Sequence, residues 1–71
     1  MRKVYTHMEF ERAERRVLRV VECQAVPEWA VGDGHEALRT DVWRANRAAM
    51  QAVRLEMAGR GWLEVRDADN R

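Results

Sequence analysis

Few residues of this chain could do chemistry, and most of those are arginine. Arg44, Arg47, Gln51 and Arg54 recur at spacings of three and four. On a helix they would share one face, within about 80° of one another. Arginine can bond guanine bidentately and glutamine can pair with adenine, so the face could read duplex DNA. The same residues also fit an ordinary solvated, salt-bridged surface. Trp43 and Met50 lie among them, and a Trp43, Arg47, Met50, Arg54 patch would suit a protein partner, because Trp and Arg dominate binding hot spots. Catalysis has less to draw on. The chain contains no serine, which excludes a Ser-His-Asp triad. His7 and His35 lie far apart and have no metal-ligand spacing with Cys23. Cys23 sits in the apolar run from Val20 to Val26 and reads as a small core hydrophobe. Gly32-Asp33-Gly34 lacks the glycine spacing of a phosphate-binding loop. The expectation is a non-enzymatic binding protein without cofactor or metal.

Positioning that arginine face requires a helix, and residues 35–58 supply one in prospect. The stretch has no Gly or Pro and is rich in Ala, Arg, Leu, Met and Glu. Gly59 and Gly61 would stop it, and 61–66 reads as a strand, followed by a turn or tail. At the other end, segment 2–10 alternates, with Val4, Thr6, Met8 and Phe10 on one side, which predicts a half-buried strand. Segment 11–26 is ambiguous. A helix beginning near Phe10 is favoured, with Glu11 and Arg15 as an i,i+4 pair. The β-branched run from Val17 to Val26 allows a strand that would form a hairpin with 2–10. Pro27 closes this element, and Pro27 through Gly34 is a loop in which Trp29 folds back as a plug. The fold class expected is α+β, a single domain over 1–71: N-terminal strand, helix, long helical segment 35–58 that could be a helix-turn-helix, and C-terminal strand 61–66.

Whether 35–58 is one helix or two decides the meaning of the arginines. Leu38, Val42, Ala45, Ala49, Val53 and Met57 hold one face throughout, as a single helix requires. Against this, Asn46 is a good N-cap and could open a second helix at Arg47. Residues 46–71, from Asn46-Arg47-Ala48-Ala49-Met50-Gln51 through Gly59-Arg60-Gly61-Trp62-Leu63-Glu64-Val65-Arg66 to Arg71, resemble the recognition helix and first wing strand of MarR-type winged-helix regulators. The resemblance covers about the last half of the chain. It implies a DNA-binding transcription regulator with Arg47, Gln51 and Arg54 toward the major groove and Arg44 and Arg66 on the backbone.

Bulk properties limit the alternatives. A chain of 71 residues holds one domain. It has modest stability, which dimerisation would raise. The net charge of +1 is far from the strongly basic balance of a typical nucleic-acid binder. One lysine against twelve arginines, with abundant Ala and Val, points to a GC-rich bacterium or its phage. Compact phage proteins that cap a host machine, such as anti-CRISPR proteins and polymerase inhibitors, are the second functional class that this size and composition suit. Neither a signal peptide nor an apolar run of about 20 residues is evident, so a cytoplasmic location without membrane contact is expected. The partners expected are therefore double-stranded DNA or a host protein surface, with a possible homodimer.

Overall fold

The computed structural model describes residues 2–65. Two ten-residue strands, β1 (Lys3–Arg12) and β2 (Arg15–Gln24), form an antiparallel hairpin. A short 3-10 turn at Glu28–Ala30 leads to a single 24-residue helix, α1 (Glu36–Gly59). The two-residue strand β3 (Leu63–Glu64) then pairs with the C-terminal end of β1, giving the strand order β2-β1-β3. The architecture is α+β, a small sheet with one long helix laid across one face.

The favoured helix over 11–26 is corrected to a turn and a strand. Ala13 and Glu14 occupy the left-handed region, at φ 49° and 67°. This makes a two-residue hairpin loop whose twist matches that of the flanking strands. Beyond it Val17, Val21 and Cys23 face the helix, while Arg16, Leu18, Val20 and Glu22 alternate outward. Arg19 interrupts the apolar row on the inner face and so disguises its period of two. Its guanidinium leaves the core to meet Glu56 at 3.0 Å and lies 3.2 Å from the Met57 sulfur.

One helix, not two, spans Glu36–Gly59. The apolar stripe accounts for this, because a helix that keeps its apolar face in phase can bury it along one sheet without bending. No bend separates Ala45 from Asn46, so the helix-turn-helix alternative is not the geometry adopted. The helix ends in a Schellman motif. Trp62 N–H donates to the Met57 carbonyl and Gly61 N–H to that of Ala58, each at 3.0 Å. Gly61 supplies the required positive φ of 85°. The chain reverses there, so β3 returns against β1, and Trp62 is folded onto the core.

The core consists of Met8, Phe10, Val21, Cys23 and Met57, flanked by Val4, Val17, Ala49, Met50, Val53 and Trp62. Trp29 does not plug it. The residue is 69% exposed, and its ring stands edge-on to His35, with centroids 5.5 Å apart. Ala30 is the loop residue that is buried. The face of the sheet away from α1 carries exposed Tyr5, Leu18 and Val20.

Candidate partner-binding surface

The course of α1 across the sheet is set by side chains near its middle and end. Asn46 was a candidate N-cap, but its amide instead grips the backbone of β2. Its Oδ1 accepts from Gln24 N–H at 2.9 Å, and its Nδ2 donates to the Gln24 carbonyl at 2.8 Å. Near the helix end, Glu56 accepts from Arg19. These two ties run α1 antiparallel to β2.

The opposite flank of α1 carries the residues singled out by spacing. Arg54 does not face solvent freely. Its Nε donates to Glu64 Oε1 at 2.7 Å and its Nη2 to Oε2 at 3.4 Å, which fastens β3 to the helix. Arg47 lies over the Trp43 ring, 5.0 Å from the centroid, a cation–π geometry. Trp43 is 57% exposed. Arg44, Arg47 and Gln51 are exposed and border one shallow depression with Ala48. Thus three of the five sequence-chosen residues share an open patch, Arg54 is occupied structurally, and Arg66 lies outside the described residues.

Below this flank runs a groove of about 430 Å³. Its floor is Val4, Thr6 and Cys23, and its wall is Trp43, Asn46, Arg47, Met50 and Arg54. Among the described residues the returning chain reaches β1 only at Glu9, Phe10 and Glu11, so the edge of β1 away from β2 is left uncovered near Val4 and Thr6 and the groove opens there. Cys23 is buried there, with the Thr6 hydroxyl 3.8 Å from its sulfur. The strand contribution to this floor was missed at the sequence level, because the length of β3 decides which part of β1 is left open. The alternation of Val4 and Thr6 was the only available signal.

The carboxyls whose ionisation is shifted lie away from this patch. Hydrogen bonds from Arg19, reinforced by its charge, hold the Glu56 carboxyl below its ordinary value. Glu36 is lowered in the same direction by backbone N–H groups, its own and that of Gly34. Among the described residues no group of three His, Cys, Asp or Glu side chains could hold a metal ion. No described helix is long and apolar enough to cross a membrane. Comparison with known protein families, with curated proteins and with solved structures finds no match to this chain.

Proposed function

We propose that this chain is a small, non-catalytic regulatory binding protein of the bacterial cytoplasm that caps the surface of a partner protein. In this reading it acts in the manner of phage-encoded inhibitors of host machines. The contact is the flank of α1 at Trp43, Arg47 and Met50, together with the groove beneath it. The observation that carries this reading is Trp43, 57% exposed and stacked under Arg47 at the lip of an apolar-floored groove. A rigid helix presents both side chains, so little conformational entropy is lost when they are covered. Trp and Arg are also the side chains whose truncation most weakens interfaces.

The test compares wild type with Trp43→Ala and Arg47→Glu in capture of host proteins, followed by affinity measurement on the captured partner. Both side chains are exposed, so thermal stability should stay near that of wild type. Affinity should fall by about 2 kcal/mol or more, roughly thirtyfold in Kd. Undiminished affinity in both variants would remove this face from consideration.

A second reading has its own support, since Arg44, Arg47 and Gln51 are exposed side by side on one face. That arrangement suits contact with duplex DNA, as the winged-helix resemblance implied, although a continuous α1 offers no recognition helix set at an angle to a second one. DNA binding by this face would fall steeply between low and moderate salt as counterions are released. Absence of binding to random duplex DNA at low salt would sink it.

A further inference from the structure

Within one copy, β2 is an edge strand whose outer side has no neighbour among the described residues. The hairpin register fixes which backbone groups lie on that side. Ala25 N–H donates to the Arg2 carbonyl, so the odd residues of β2 turn their hydrogen-bonding groups toward β1 and the even residues turn theirs outward. Gln24 is the last of the outward set, and Asn46 already satisfies both its N–H and its carbonyl. The groups left open are those of Arg16, Leu18, Val20 and Glu22.

We infer that this edge is a self-pairing surface: a second copy of the chain adds its β2 antiparallel to the first, about a two-fold axis at Arg19, making a continuous six-stranded sheet. The open set is symmetric about Arg19, so in this register every open residue meets another open residue. Arg16 meets Glu22 of the second copy, and Leu18 meets Val20 of the second copy. Each contact occurs twice, for about eight interchain hydrogen bonds. The charge pattern is complementary in this register, and the contact would extend exposed ion pairs that one copy already forms, Arg16 with Glu9 and Glu11 and Glu22 with Lys3. A shift of the axis to Leu18 would set Glu22 against the Glu14 turn position of the second copy. A shift to Val20 would set Arg16 against Gln24, which Asn46 has closed.

Both faces of the sheet are compatible with the joint. On the open face, Leu18 and Val20 are more than half exposed and would join their counterparts in one apolar strip. On the helix face, the two Arg19 side chains approach the axis, each neutralised by its own Glu56 at 3.0 Å. The helix flank above this edge carries Glu56, bound to Arg19, with the small side chains Ala49 and Ala52 within a turn or two of it along α1. This surface lies on the opposite side of α1 from Trp43 and Arg47, so the inference stands or falls apart from the proposed function.

Mass in solution, measured by sedimentation or light scattering, tests it. The intact chain should sediment at twice its 8.4 kDa mass at high micromolar concentration. Val20→Pro removes only an outward N–H and leaves the β1–β2 ladder whole, so it should give a folded monomer. Arg16→Glu and Glu22→Arg should each weaken association about tenfold, because each creates two like-charge pairs across the joint. The double variant Arg16→Glu/Glu22→Arg should recover the dimer. A monomeric wild type at every concentration would overturn the inference, as would a dimer indifferent to the single charge variants or not restored by the double one. If Val20→Pro fails to fold, the charge series decides alone.

Discussion

At the scale of single residues, Arg19 and Glu56 join the two layers of the fold. The pair is exposed, so its contribution is modest and salt-sensitive. It does have a predictable pH dependence. The Glu56 carboxyl is held below its ordinary value of 4.5, first by hydrogen bonds from Arg19 and then by the Arg19 charge. A depressed carboxylate adds stability above its unfolded-state pKa, and that stability is lost as pH falls through the folded-state value. Glu56→Gln should therefore lower stability at neutral pH and flatten the decline on acidification, as read by urea denaturation at a series of pH values. Glu36 is lowered by backbone donors rather than by Arg19, so part of the acid slope should remain in the variant. An unchanged slope would mean that the pair does not form in solution. Asn46 is the other residue joining layers, since it supplies Gln24 with the donor and acceptor that a neighbouring strand would have offered. Asn46→Ala should cost about 1 kcal/mol in denaturant unfolding, a typical net value for a hydrogen-bonded amide.

At the scale of elements, the hairpin and the helix differ in how plainly they were written. The helical character of 35–58 was legible, and glycine marked its stop. Its continuity was not, because Asn46 could equally have capped a second helix, and only the folded chain shows its amide gripping Gln24. Ala45→Pro checks its continuity. Within a continuous helix the substitution should cost about 3 kcal/mol or more, enough to unfold most of so small a domain, as seen by far-UV circular dichroism. A folded variant of native stability would place a bend there. The strand β2 was less legible for two physical reasons. Its turn uses Ala13 and Glu14 at positive φ, where Asn-Gly would have announced a hairpin, and Arg19 stands in the inward row. Left-handed backbone costs non-glycine residues roughly 1–2 kcal/mol each. Replacing the pair by Asn-Gly should therefore stabilise the protein by about 1 kcal/mol and raise Tm by about 4–8 °C. A lowered Tm would show that Glu14 makes a contact worth more than the strain. The candidate site was legible in part. Helical spacing found Arg44, Arg47 and Gln51, but it could not show that Arg54 ties down β3, because that depends on where the chain returns after Gly61.

At the scale of the molecule, the shape is elongated, with extents of 47 × 25 × 17 Å. The core lies under the second half of α1, while its first turns pack against the 27–35 loop. There Ala30 and Val42 are buried, and Arg39 Nη1 lies 2.7, 3.2 and 2.8 Å from the carbonyls of Ala30, Val31 and Gly32. Stability should therefore be uneven along the helix. Arg39→Ala should speed hydrogen exchange of amides 36–42 about tenfold or more, with little change at 49–57, since hydrogen bonds from a charged donor are among the stronger ones. A uniform change along α1 would show instead that the helix opens as a unit.

Cys23 is the chain's single thiol, and it is buried at the floor of the groove between α1 and β1. Only 4% of it is exposed, so a bulky maleimide reaches it chiefly when the helix lifts from the sheet. The alkylation rate is therefore a clock for that lifting, built into the protein without any added label. A molecule seated in the groove slows the clock in proportion to its occupancy, whatever its identity, so ligands can be screened by the survival of one sulfhydryl.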